Sequence, residues 1–124
     1  MKSPEKEKLA RGIFITMNNR DFSNIEGLLD EHVCFDFPGV KRTDGIRKTG
    51  IQLSALLRKY PELEFSVQDV IIDGERACVV WTNKGIDVNR APYENSGITL
   101  LHFNAGKISF ISDYFKDTSF TRAS

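Results

Sequence analysis

The chain has 124 residues, 40% of them hydrophobic, and its 17 Lys+Arg are balanced by 17 Asp+Glu. That length reads as one domain over residues 1–124 with enough chain to bury a real core, and the hydrophobic fraction argues against disorder. A formal net charge of zero gives no long-range pull toward nucleic acid or an anionic membrane, so neither is expected as a partner.

The N-terminal Met1-Lys2-Ser3-Pro4-Glu5 lacks the apolar core of a signal peptide. No apolar run approaches the ~18 residues that a transmembrane helix needs. Cys34 and Cys78 each sit inside an apolar β-like run and read as buried thiols in a reducing compartment. A cytoplasmic protein is expected. The basic pairs Lys41-Arg42, Arg47-Lys48 and Arg58-Lys59 read as solvated faces.

In chain order, Ser3 is placed to cap a first helix, with Pro4 at its first position and Glu5 and Glu7 in its first turn. Leu9, Ala10, Ile13, Phe14 and Met17 then recur at helical spacing. Asn18-Asn19-Arg20 breaks the pattern. Ser23 and Glu26 form a capping-box signature for a short second helix with Ile25, Leu28 and Leu29 on its apolar side. Residues 32–37 alternate like a strand that Pro38-Gly39 ends, and Val40 to Thr43 reads as a loop. A third helix is predicted from about Asp44 to Tyr60, stopped by Pro61, with Ile46, Leu53, Leu56, Leu57 and Tyr60 on one side.

From there the pattern is β. Phe65 to Ile72 is a strand closed by Asp73-Gly74, the strongest short hairpin signal in the chain. Residues 77–82 are its partner, 83–92 a polar connection, and Tyr93 to Phe103 the next strand. Asn104-Ala105-Gly106 turns the chain into a last strand, and a polar tail follows from about residue 119. Three N-terminal helices segregated to one face of a mostly antiparallel sheet define an α+β fold. The last two strands are apolar on both faces, and helices cover only one. A homodimer packed through the outer sheet face is the expected cover for the other, through Leu100, His102, Phe110, Ser112 and Tyr114.

One residue stands out in the last strand. Asp113 lies among β-formers on a face with Ile111 and Phe115, where a lone buried carboxylate is costly. Facing an apolar pocket, it would have a raised pKa and would suit general-base work on a carbon acid; hydrogen-bonded to a tyrosine or a backbone N–H, it would be structural. Asp117, at the strand's end, reads as a cap or rim residue, and Asp36 faces away from Phe35 and Phe37.

His102 depends on the turn. If Asn104-Ala105-Gly106 is a three-residue loop with Gly106 left-handed, Thr99, Leu101 and Phe103 share a face with Ile111, Asp113 and Phe115, and His102 points away. A two-residue Ala105-Gly106 loop flips the parity and brings His102 to Asp113. The three-residue loop is the preferred reading because Gly106 sits where that loop wants it. Two isolated histidines fit no metal signature, so no metal is expected. Without a glycine-rich phosphate loop or a GxSxG elbow, no cofactor is implied either.

The order of elements, with Tyr93-Glu94-Asn95, Phe103-Asn104-Ala105-Gly106-Lys107-Ile108, Asp113-Tyr114-Phe115 and Asp117-Thr118, resembles the SnoaL-like branch of the nuclear transport factor 2-like superfamily. Asp36-Phe37-Pro38-Gly39 and Gly45-Ile46 are weaker matches. The resemblance implies a cone-like α+β barrel: a strongly bent sheet wrapping the helices, an apolar pocket at its open end, and dimers through the outer sheet face.

The family hosts isomerases, epoxide hydrolases, dehydratases, polyketide cyclases and members with no chemistry. Positions that carry the base, the oxyanion-hole acid and the oxyanion-hole tyrosine in ketosteroid isomerases align with Phe37, Thr99 and Ile13 in that order, so that chemistry is not carried over. The Arg-x-Asp of limonene epoxide hydrolases is missing from the strand with Trp81 and Thr82, although Asp113 matches their last aspartate. SnoaL-type cyclases use an aspartate on this strand as base, a role Asp113 fits, with a histidine helper for which His102 is the candidate.

The expected ligand is a small apolar molecule walled by Ile13, Met17, Phe37, Tyr60, Val80, Thr82, Thr99, Leu101, Ile111 and Phe115, with Asp113 as catalytic base. The expected activity is cofactor-free isomerisation, cyclisation or hydrolysis. The alternative is a non-catalytic ligand-binding or protein-interaction module of the same fold.

Overall fold

A computed structural model of the chain describes residues 3–118. The tail predicted from residue 119 lies outside the described residues. The chain runs α1 (Ser3–Asn19), a 3-10 turn (Ile25–Gly27), β1 (Leu29–Asp36), β2 (Thr43–Asp44), α2 (Ile46–Lys59), β3 (Glu64–Asp73), β4 (Arg76–Ile86), β5 (Pro92–Asn104) and β6 (Lys107–Phe115). The six strands form one curled, unclosed sheet in the order β2-β1-β6-β5-β4-β3. The fold is α+β, as the sequence implies. All strand pairs are antiparallel except β1 and β6, which run parallel.

Among the described residues the α-helices number two rather than three. The segment expected to be a second helix makes a single 3-10 turn, with no side-chain cap at Asn24. The Ser23 amide donates to Asp21 Oδ1 at 3.0 Å, so the chain closes a local turn where a capping box was expected. Leu29 is already in β1, paired in register with Ile108. Burying Leu29 completely in the sheet outweighs the helical preference of a segment too short to hold a helix alone.

Ala10, Ile13 and Phe14 of α1 and Leu53 of α2 pack on the concave face against Val33, Phe35, Val79, Trp81, Leu101, Ile108 and Ile111. The start of α1 is fixed by a buried lysine. Lys6 Nζ donates to the carbonyl of Gly74 at 2.6 Å and pairs with Glu75 Oε1 at 3.1 Å. Both partners belong to the β3–β4 hairpin, whose two-residue turn puts Gly74 at φ 59°.

A register shift between Leu29 and Cys34 where β1 pairs with β6, two single-residue bulges and one glycine shape the sheet. Gln68 is the extra residue where Val67 pairs with Trp81 and Asp69 with Val80. Ser109 is the extra residue where Phe103 pairs with Ile108 and His102 with Phe110. At Gly97, a Cβ would lie 2.3 Å from the Tyr114 carbonyl oxygen, so β5 and β6 approach there as only glycine allows.

The turn between β5 and β6 overturns one expectation and keeps its consequence. Asn104 pairs with Lys107, so the loop is the two-residue Ala105-Gly106, both left-handed at φ 49° and 81°. Left alone, that loop would bring His102 to the inner face. The Ser109 bulge shifts parity back by one residue. Thr99 therefore opposes Asp113, Leu101 opposes Ile111, and His102 opposes Phe110 on the outer face.

Candidate functional site

At the open end of the curled sheet the concave face leaves a cavity of about 60 Å³. Phe14 and Met17 line it from α1, and Leu53, Leu56 and Leu57 from α2. The sheet contributes Phe65, Trp81, Asn83, Tyr93, Asn95, Asp113 and Phe115, with Phe37 and Leu63 at strand ends. Much of the wall is aromatic: Phe65 stands edge-on to Trp81 at 5.2 Å, and Phe37 meets Phe115 at 5.5 Å between ring centroids. The volume is small beside the ~300–1,000 Å³ of drug-sized pockets, so a ligand of that size would have to displace flexible wall side chains such as Met17 and Leu56.

Asp113 is the carboxylate of this wall. Alternation along β6 aims it inward between Ile111 and Phe115, while Tyr114 points out. Thr99 Oγ1 donates to Asp113 Oδ1 at 2.5 Å, and Trp81 Nε1 donates to Thr99 Oγ1 at 2.9 Å. An indole N–H only donates, so it occupies an acceptor position of the threonine and leaves the hydroxyl proton for the carboxylate. Burial pushes the Asp113 pKa up to about 6; the Thr99 hydrogen bond pulls the other way, and the charge of Asp36 adds a smaller upward push. Asp36 itself lies on the outer face, where Ser112 Oγ donates to its Oδ2 at 3.1 Å and Arg42 lies 3.6 Å away.

The expected wall residues divide. Met17, Phe37 and Phe115 line the cavity beside Asp113. Ile13, Leu101 and Ile111 are on the inner side but buried in the core away from it, and Thr99 stands behind Asp113 at 2% exposure. Tyr60 is buried too, its ring 4.6 Å from that of Tyr93, which does line the cavity.

Val80 and Thr82 are placed wrongly by the sequence reading. Val79 pairs with Thr99 and Trp81 with Gly97, so Val79, Trp81 and Asn83 share the inner face and Val80 and Thr82 face outward. The parity of β4 follows from burying the indole, which is 4% exposed. Of the expected outer-face contacts, Tyr114 is exposed and Leu100, His102 and Phe110 are half-buried. Ser112 is 1% exposed within the chain itself and so is not available to a partner.

Three polar wall residues escaped the sequence reading: Asn83, Tyr93 and Asn95. Asn83 fell in the supposed polar connection, yet β4 runs on to Ile86. The signal was the unbroken alternation Val79, Trp81, Asn83 past the predicted strand end. Asn95 is tied down, its Oδ1 accepting from Ser96 and Asp117 amides and its Nδ2 donating to the Tyr93 hydroxyl and the Asp117 carbonyl. Among the described residues no group of three or more His, Cys, Asp and Glu is placed to hold a metal.

A family model of the SnoaL-like domain matches residues 10–111, most of the chain. The chain belongs to the SnoaL-like domain family. Solved structures agree with this SnoaL-like fold. Bal32a, from a soil-derived mobile gene cassette, superposes with a TM-score of 0.86 at 15% identity over 97% of this chain and 98% of its own. A candidate SnoaL-like polyketide cyclase from Jannaschia sp. CCS1 gives 0.82 at 15% identity over 94% and 90%. TsrD from Streptomyces laurentii gives 0.81 at 15% identity over 94% and 91%. At such identities the likeness is one of fold. No curated protein matches the SnoaL-like sequence. Among the described residues, no helix is long and apolar enough to cross a membrane.

Proposed function

We propose that this SnoaL-like chain binds a small lipophilic molecule in the cavity and acts on it without a cofactor, with Asp113 as general base. The observation that carries the reading is the placement of Asp113: a carboxylate at the wall of an otherwise largely apolar cavity, its pKa raised to about 6 and one oxygen engaged by Thr99. Such a group is ionised at neutral pH yet more basic than an ordinary carboxylate. It would take a proton from a carbon next to a carbonyl, or from a water, at its second oxygen. Isomerisation, cyclisation and hydrolysis all begin that way. The polyketide-cyclase description of the Jannaschia relative is consistent with such chemistry, by analogy only.

A second reading is a non-catalytic binding or interaction module. The limited volume of the cavity, about 60 Å³, favours it. The two separate on one experiment: a thermal-shift screen of lipophilic ketones, followed by NMR of deuterium incorporation into each hit in D2O. The catalytic reading expects incorporation with wild type and none above background with Asp113→Asn at equal occupancy. Binding with no incorporation by either protein supports the module, and equal incorporation by both removes Asp113 from the chemistry.

The same reading includes a homodimer through the outer sheet face, by way of Leu100, His102, Phe110 and Tyr114. Ile71, Ile98 and Tyr114 on that face are 53%, 37% and 56% exposed, an apolar surface that a second copy would cover. The thiols of Cys34 and Cys78 are both raised in pKa by burial and so poorly reactive, which suits a cytoplasmic protein.

A further inference from the structure

Among the described residues that line the cavity, Asn83 alone has a buried side-chain polar atom without a hydrogen-bond partner. It is 8% exposed, and its Oδ1 is buried without a hydrogen-bond partner among the described residues. Its neighbours are otherwise engaged: Asn95 closes on the backbone of Ser96 and Asp117, and the Trp81 indole is committed to Thr99. A buried acceptor left unpaired costs stability, which an apolar residue at this place would avoid. Position 83 lies on the inner face of β4 and lines the same cavity as Asp113.

The register sets the distance between the two groups. Asn83 pairs with Asn95, four residues along β5 from Thr99, and Thr99 pairs with Asp113. Four residues along the strands and two strands across is roughly 16 Å over the sheet surface, shortened through space by the curl. The apolar side chains of Trp81 and Phe115 lie between.

We propose that Asn83 holds the hydroxyl of the ligand, so that the cavity takes an elongated apolar molecule with a hydroxyl at the end remote from Asp113. A hydroxyl answers the amide in either orientation, donating to its oxygen or accepting from its nitrogen. A pure hydrocarbon would leave the acceptor unpaired and gain nothing at this position. Asn83 is then a specificity residue that fixes which end of the molecule faces the carboxylate. The inference rests on the cavity being a ligand site, and the test separates the two.

The probes are 4-propylphenol and propylbenzene, matched in shape and differing by one hydroxyl, titrated calorimetrically into wild type, Asn83→Leu and Asp113→Asn. Wild type should prefer the phenol roughly tenfold, the value of one well-made buried hydrogen bond. Asn83→Leu should bind both alike, without loss of thermal stability, because it removes an unpaired buried acceptor. Asn83→Ala serves the same comparison should the leucine variant not fold. Asp113→Asn should keep the wild-type preference. Loss of the preference in Asp113→Asn with its retention in Asn83→Leu would place the hydroxyl on the carboxylate and overturn the inference. If Asn83→Leu or Asn83→Ala retains the preference, or wild type binds both probes equally, the inference is overturned while the apolar site stands. If neither probe binds wild type, the ligand site itself is contradicted and the inference falls with it.

Discussion

Thr99 Oγ1 donates to Asp113 Oδ1 at 2.5 Å while its own oxygen accepts the Trp81 indole N–H at 2.9 Å. Three adjacent strands thus contribute one residue each to a chain of two hydrogen bonds that ends on the carboxylate. Removing the middle member affects both neighbours. Thr99→Val should raise the Asp113 pKa above its wild-type value, because the bond that favours the charged form is lost. It should also destabilise the fold by about 1–3 kcal/mol, because the buried Trp81 N–H loses its acceptor. Thr99→Ser keeps the hydroxyl and should restore both properties. Denaturant titration and carboxyl NMR measure the pair, and a wild-type pKa in Thr99→Val would break the link.

The raised pKa has a definite sign for stability. Between about 3.8 and about 6 the folded chain holds a proton on Asp113 that the unfolded chain has released. Stability therefore falls as pH rises through that window, and the cost, about 3 kcal/mol, is fully present above the folded pKa. Asp113→Asn removes the charge while its amide oxygen still accepts from Thr99. Its melting temperature should exceed that of wild type at pH 8, with the difference shrinking below pH 4. No pH dependence in that difference would mean the carboxylate is not desolvated. Any Asp113-dependent turnover should rise through about pH 6 as the base ionises.

Gly97 tests the close approach of β5 and β6, where it pairs with Trp81 on one side and Phe115 on the other. A Cβ there would lie 2.3 Å from the Tyr114 carbonyl oxygen and 2.8 Å from Phe115 Cα, and backbone cannot swing aside as a side chain can. Gly97→Ala should cost at least about 1–3 kcal/mol and disturb the Thr99–Asp113 pair two residues away. Chemical denaturation checks the first part and the Asp113 titration the second. Wild-type stability would mean that the strands separate easily at this point.

The outer face is tested by charge. Ile98→Asp and Tyr114→Glu change exposed side chains on the side of the sheet away from the cavity. In sedimentation equilibrium wild type should run as a dimer and the double variant as a monomer with its melting profile cooperative. A monomeric wild type, or a double variant that remains dimeric, contradicts the proposed interface.

The sequence made the two long helices, the hairpin at Asp73-Gly74 and the inward aim of Asp113 legible, because alternation and turn chemistry are local signals. Parity across turns was not local. Val80 and Thr82 were assigned inward because the register between β4 and β5 could not be read, whereas burying Trp81 sets it. The β5–β6 loop was misread by one residue, and the Ser109 bulge, which leaves no mark in composition, cancelled the error. Asn83 was hidden for a related reason: a polar residue at the apparent end of a strand reads as loop until the pairing with Asn95 extends the ladder past it.

General-base chemistry here depends on one carboxylate in a largely apolar wall, so the most direct measurement is a site-resolved carbon-13 titration of the Asp113 carboxyl, assigned by comparison with Asp113→Asn. Burial of the carboxyl should give a midpoint near 6. A midpoint at or below the ordinary aspartate value of about 3.9 would contradict that chemistry, because the carboxylate would then be solvated or structurally paired rather than held as a base.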